Sequence, residues 1–241
     1  MNILEIIKSI FKNNCPEKDI LIEDLQGQLD DMDEEIIELQ KKLLEQNEEE
    51  SEWEEYWNNK YPKQDISYKR EEKDGQYLVD VRTYFNLPDS HIPTVTGTTN
   101  DAKAAKALFW VIDNITYVAD KTTYGFDEFW ARAYQTLKRK KGDCEDGAIL
   151  LANIMLKSGI PYWRIRLNAG DVKGGGHAYV TYCRETDNQF VVLDWCYWAN
   201  RLPVKDRNLH SEERDYYSIW FSWNSKYSFG ASETYAGFKS S

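Results

Sequence analysis

The chain has 241 residues and a formal net charge of −11, and that charge is concentrated in one segment. Residues 17–55 hold 17 acidic and 3 basic residues, a net of −14, leaving 27 basic and 24 acidic residues, a net of +3, elsewhere. The near-neutral remainder excludes a broad nucleic-acid-binding surface, which needs clustered Lys and Arg, and its apolar and aromatic content excludes a wholly disordered acidic polymer.

The length suits one domain of ordinary size with an appendage. No apolar run approaches the roughly 20 residues of a spanning helix, so no transmembrane segment is expected. Residues 1–16 read as a short amphipathic helix with Ile3, Ile6, Ile7, Ile10 and Phe11 on one side. Glu5 and Lys8 interrupt that run and no small-residue cleavage site follows, so it does not read as a signal peptide. The expected location is therefore cytoplasmic, or within a larger particle such as a virion. Free thiols are expected in such a reducing setting. The four cysteines (Cys15, Cys144, Cys183, Cys196) form no CxxC pair and only three histidines are present, which argues against structural zinc.

Residues 17–57 read as an acidic coiled coil. Ile22, Leu29, Ile36 and Leu43 take one core position, and Leu25, Met32 and Leu39 take the other. A spacing of 3.5 held over successive heptads is the mark of a left-handed supercoil. The apolar stripe is narrow, with charge almost everywhere else, so self-association is favoured over packing on a globular body. Residues 58–98 read as a linker or extended arm, with a strand or arm from Gln76 to Phe85 and a loop punctuated by Pro88, Pro93 and Gly97. Asn100 is the expected cap of a helix ending near Asn114, and Ile115 to Val118 is a short β-prone run.

The next helix follows Lys141-Gly-Asp-Cys-Glu-Asp146. Asp143 is placed to cap its first turn, and residues 148–156 are apolar on almost every side, which predicts a central, buried helix. Gly159 and Pro161 end it. Cys144 stands at its N-terminus, where unpaired backbone N–H groups lower a thiol's pKa. The alternative is a buried structural cysteine, but Gly142 and the polar collar Asp143, Glu145 and Asp146 favour an exposed mouth. Residues 174–195 then read as two alternating strands around a polar turn. With that turn centred near Glu185 and Thr186, His177 faces Asp194, Tyr179 faces Val192 and Thr181 faces Phe190. Same-face partners lie about 5 Å apart at Cβ, within reach of a His–carboxylate hydrogen bond. His91 and His210 read as surface residues.

The order Cys144, His177, Asp194 resembles the transglutaminase-like superfamily of papain-related folds. The resemblance runs from about Asn100 to Trp195. It is carried by Ile115-Thr-Tyr-Val-Ala-Asp120, by Trp130, by Gly142-Asp-Cys-Glu-Asp146, by Gly176-His-Ala-Tyr179 and by Leu193-Asp194. Gly-Asp-Cys-Glu-Asp looks most like the bacterial transglutaminase-like cysteine peptidases, some of them calcium-dependent. The implied architecture is α+β, with residues 99–241 forming a papain/transglutaminase-like core. In it a central helix that begins at the cysteine packs on an antiparallel sheet, preceded by the coiled-coil helix.

The implied chemistry is attack of the Cys144 thiolate on an amide carbonyl of a peptide or protein substrate. His177 moves the proton and Asp194 holds the imidazole tautomer. The Cys144 backbone N–H serves as one oxyanion donor, with Trp130 marking the region of a second donor or of the substrate site. No cofactor is required for this chemistry. The resemblance makes Asp143 and Glu145 calcium ligands, with helix capping as the alternative role. Negative charge beside Cys144 disfavours its thiolate, so these carboxylates either turn outward as caps or are neutralised by a cation. The acyl-enzyme can pass to water, as in a peptidase or amidase, or to an amine, as in a cross-linking transglutaminase; hydrolysis is favoured.

The aromatic run after Trp195 ends in an expected hairpin that covers the core, with Tyr217, Ile219, Phe221 and Trp223 alternating on one strand face. Its alternative role is an aromatic substrate groove. A competing reading from another class is a structural or assembly protein, for instance of a phage particle, that retains this fold.

Overall fold

The computed structural model describes residues 16–85 and 91–230. The amphipathic helix expected over residues 1–16 falls outside them, save Pro16, which opens the next helix. Helix α1 spans Pro16–Asn59 as a single 44-residue element. Its heptad residues Leu25, Leu29, Met32, Ile36, Leu39 and Leu43 are 40–58% exposed. The described residues fall into two compact units that divide between Glu52 and Trp53. Among the described residues no helix is long and apolar enough to cross a membrane.

In the second unit the last turns of α1 are core. Trp57 is buried, edge-on to Phe190 at 4.8 Å and stacked on Tyr61 at 6.0 Å. Its carbonyl accepts a 3.0 Å hydrogen bond from the buried Arg166 guanidinium. The stretch expected as a linker or arm also holds regular structure. Strands β1 (Ser67–Glu72) and β2 (Gly75–Asp80) form a hairpin, paired from Ser67↔Asp80 to Glu72↔Gly75. A 3-10 turn at Val81–Tyr84 follows, and Val81, Tyr84 and Ile92 enter the main core. Arg70 on β1 is buried and donates to the Trp130 carbonyl at 2.6 Å. Long-range contacts of this kind leave no mark in local sequence pattern.

Helix α2 (Asn100–Asn114) is capped by Thr99, whose side chain accepts from the Ala102 N–H. Asn100, the expected cap, is already helical. Strand β3 (Thr116–Tyr117), the short helices α3 (Asp120–Thr123) and α4 (Ala133–Arg139), and strand β4 (Lys141–Gly142) lead to helix α5 (Cys144–Lys157). Parallel pairing of β3 and β4 sets Tyr117 beside Gly142. Helix α5 packs on the sheet on one side and on α2 and α4 on the others, so Ala148 to Met155 are all buried, as their apolar run predicts. Asp143 occupies the N-cap position, yet its side chain makes no capping hydrogen bond. Gly147 is required by packing: a Cβ there would lie 2.1 Å from the Trp195 indole.

The sheet has the order β7-β6-β5-β8-β9, with β5 Ile165–Val172, β6 Gly175–Cys183, β7 Phe190–Leu193, β8 Tyr216–Trp223 and β9 Ser228–Gly230. All pairs within it are antiparallel. Leu167, Val180, Leu193 and Trp223 join the core beneath α5, while smaller clusters (Val172, Tyr179, Val192, Tyr216; Trp57, Cys183, Phe190, Phe229) form away from it. Both faces are covered, so β6 and β7 are buried almost continuously instead of alternating.

Two details of register differ from expectation. Strands β6 and β7 pair as Val180↔Leu193, Thr181↔Val192 and Cys183↔Phe190, so each partner is displaced by two residues from the expected register. An even displacement leaves every side chain on its face. Strand β8 is bulged twice against β5: Gly170 pairs with Ile219 after Ala169 pairs with Phe221, and Val172 pairs with Tyr216 after Asp171 pairs with Ser218. Trp220 and Tyr217 are the extra residues and stay 44% and 46% exposed. The expected alternation from Tyr217 to Trp223 fails for this reason, and Tyr216 is the buried tyrosine.

Trp57→Ala removes a buried indole and should destabilise the second unit by about 3–5 kcal/mol, measured by urea unfolding. A change below about 1 kcal/mol would show the helix end to be peripheral to the core.

Candidate active site

Cys144 is the first residue of α5, His177 lies near the start of β6, and Asp194 follows β7 by one residue. The displaced register sets His177 diagonal to Asp194 on the same face, still within side-chain reach. His177 Nε2 lies 2.7 Å from Asp194 Oδ2, and both groups are buried. The other Asp194 oxygen accepts from the backbone N–H groups of Cys196 (3.0 Å) and Tyr197 (3.1 Å). Tyr216 donates its hydroxyl to Oδ2 at 2.8 Å. Burial alone would raise the Asp194 pKa, but the His177 hydrogen bond and charge, with the Cys196 and Tyr216 donors, hold it below the usual carboxylate range.

The Asp194 contact assigns the His177 proton to Nε2 and leaves Nδ1, which is buried and has no hydrogen-bond partner. Tyr197 packs edge-on against the ring at 4.5 Å. His177 and Cys144 line one cavity of about 270 Å³, walled by Trp130, Tyr117 and Trp220 among others. Trp130 is therefore at the cleft, but its indole N–H donates to Glu128 at 2.7 Å and is not free for an oxyanion. Trp220 is fixed in its wall by Asp171, which accepts its N–H at 2.8 Å, and its ring covers Gly176, where a Cβ would lie 2.8 Å away.

The electrostatics at Cys144 differ from expectation. Burial first, then the charge of Asp143, push its thiol up to about 12, outweighing the Ala178 N–H that favours the thiolate. The thiol donates to Glu145 Oε2 at 3.2 Å. A helix N-terminus lowers a thiol's pKa only where the thiolate is not also desolvated among carboxylates.

Asp143 and Glu145 do not turn outward. With Asp120, which sequence analysis did not assign a role, they each bring a carboxylate oxygen within 4.8 Å of the others. Burial raises all three; Asp120 reaches about 8, with the Asp143 charge the next largest cause. Asp120 Oδ1, Asp143 Oδ1 and Glu145 Oε1 are buried without a hydrogen-bond partner. Orphaned oxygens in an all-oxygen set fit a hard divalent cation such as calcium. Asp146 plays a different part, accepting from the Ala131 N–H at 2.8 Å and from the Tyr124 hydroxyl at 3.3 Å, which fastens the loop that carries Trp130. His210, expected at the surface, is buried with its Nε2 3.0 Å from the Tyr179 hydroxyl.

A thiol thus heads a buried helix, and a His–Asp pair lies on the adjoining antiparallel sheet. Residues 91–195 match the family model of the transglutaminase-like superfamily. Among solved structures, Legionella pneumophila LapG is similar at 19% identity, covering 62% of this chain and 76% of that one, with a TM-score of 0.45. Its calcium-bound structure matches at 19% identity over 53% and 67% of the two chains, with a TM-score of 0.42. Its EGTA-treated structure matches at 18% identity over 57% and 70%, with a TM-score of 0.43. No curated protein sequence matches the chain.

The raised carboxyls carry a pH signature. A carboxyl whose folded pKa lies above its unfolded value stabilises the fold below that unfolded value and ceases to as pH rises through the folded one. In chelator, Tm should fall between about pH 5 and pH 9, calcium should restore it, and Asp120→Asn should flatten the fall. A pH-independent Tm indifferent to calcium would rule out this cation site.

Proposed function

We propose that the protein is a cysteine hydrolase acting on an amide or peptide bond of a peptide or protein substrate. The observation that carries this reading is the His177–Asp194 pair, which engages one imidazole nitrogen and leaves the other unbonded in a chain whose Cys144 lines the same cleft. In this reading His177 takes the Cys144 proton and the thiolate attacks the carbonyl carbon. The carbonyl π electrons move onto oxygen, where the Cys144 backbone N–H at the helix N-terminus favours negative charge. Collapse of the tetrahedral species expels the amine, which takes the proton from His177, and leaves a thioester. His177 then deprotonates a water that attacks the thioester and regenerates the thiol. A primary amine in place of that water would give cross-linking instead.

Asp120, Asp143 and Glu145 are proposed to hold calcium. A bound ion supplies positive charge beside Cys144 and offsets the carboxylates that oppose its thiolate. Without it, burial and the Asp143 charge keep the thiol protonated.

Self-association through α1 is proposed as well, supported by its exposed heptad residues. Four of the eight positions flanking that stripe carry uncharged amides, at Gln26, Gln28, Gln40 and Asn47, and most of the acidic residues point away from it. Repulsion between parallel copies is reduced accordingly.

With calcium present, an uncharged thiol electrophile should label Cys144 faster than Cys183 or Cys196, with His177→Ala slowing it by roughly 10²-fold or more. Equal labelling of the three, indifferent to His177, would favour a structural or assembly role. In sedimentation, residues 53–241 should run as a smaller assembly state than the full chain; an unchanged state would mean that α1 is not the oligomeriser.

A further inference from the structure

We infer that Tyr216 is a positioning residue for this chemistry: its hydroxyl locks the Asp194 carboxylate and sets how strongly that carboxylate holds His177. The inference rests on the Cys144/His177/Asp194 reading. Asp194 Oδ2 accepts from both His177 Nε2 (2.7 Å) and the Tyr216 hydroxyl (2.8 Å), while Oδ1 accepts the Cys196 and Tyr197 N–H groups. A carboxylate offers about four acceptor positions, so this one is filled and has no freedom to rotate.

Tyr216 reaches Asp194 through a specific backbone irregularity. The bulge in β8 leaves Tyr217 outside and turns Tyr216 inward, and bulges beside active sites commonly re-aim a side chain in this way. The ring is then fixed against Tyr179 at 4.5 Å and Trp198 at 5.2 Å. Tyr179 cannot take over the role, because its own hydroxyl is engaged with His210. A second cavity of about 270 Å³ is lined by Asp194, Tyr216 and Trp198, so the hydrogen bond borders space that neither Cys144 nor His177 lines.

The electronic consequence has a sign. The Tyr216 donor draws charge from Oδ2; without it that charge falls on His177 alone and stabilises the imidazolium. Other ionisable groups facing this cluster are Tyr117, Glu128, Asp143, Cys144, Glu145, Tyr179, Cys196, Tyr197, Asp206, Arg207, His210, Glu213 and Asp215. Tyr216→Phe leaves all of them in place and keeps the ring volume.

The test uses the full chain carrying Cys144→Ala, in which no chemistry occurs, and follows the His177 imidazole by ¹H–¹⁵N NMR across pH. Tyr216→Phe should raise its midpoint by about one pH unit. Substituting 3-fluorotyrosine at 216, a more acidic phenol and stronger donor, should lower it. A midpoint that moves with neither substitution overturns the inference, and the fluorotyrosine arm decides alone if Tyr216→Phe does not fold. Cys144 alkylation that is indifferent to His177→Ala would instead remove the hydrolase reading, whatever the midpoint does.

Discussion

Helix α5 is enclosed by the sheet and by α2 and α4, and most of the domain's arrangement follows from that burial. An apolar helix without a solvent face can expose chemistry only at an end. Its N-terminus, with Gly142 before it and the cleft beside it, is the end that is open. Cys144 is consequently placed at the helix N-terminus, on the wall of that cleft. The same enclosure carries Asp143, Glu145 and Asp146 inward together with Asp120. Burying several carboxylates side by side is unfavourable by several kcal/mol each unless they are neutralised or well hydrogen-bonded. The architecture that delivers the thiol therefore also creates a local excess of negative charge that opposes its ionisation.

Asp194 and Glu145 show how such burial is resolved in opposite ways. Both are nearly inaccessible, yet Asp194 is held below the usual carboxylate range and Glu145 well above it. Asp194 accepts from His177, Tyr216 and two backbone N–H groups. Glu145 accepts from the Cys144 thiol and leaves its other oxygen without a partner. Hydrogen bonds to a charged group contribute roughly 1.5–3 kcal/mol each, so several of them offset a desolvation penalty that one weak donor does not. One carboxylate is thus built to stay ionised as the partner of an imidazole. The other is built to share a proton or a cation.

Much of the geometry of the candidate site was legible in sequence, for a reason that individual residues make clear. The apolar run from Ala148 to Met155 announces a buried helix, and its first residue is a cysteine. The His177–Asp194 pairing survives a register error of two residues because strand periodicity is two. An error of one would have separated them. Illegible were the inward placements of Asp120, Tyr216 and His210 and the first strand of the hairpin at residues 67–80. Tyr216 reaches Asp194 only because β8 is bulged, and no local pattern separates it from its neighbour Tyr217. Arg70 is buried because the Trp130 carbonyl, sixty residues away, accepts its hydrogen bond.

The sequence by itself determined the segregation of charge into one acidic helix, the periodicity of the elements, and the kinds of side chain available for chemistry. These are properties of composition and of local repeat, and they do not depend on what packs against what. The tertiary structure alone decided that the carboxylates beside Cys144 turn inward, that the thiol is held protonated, and that Asp194 has its full set of donors. Ionisation is set by burial and by neighbours, and those neighbours arrive from segments far apart along the chain.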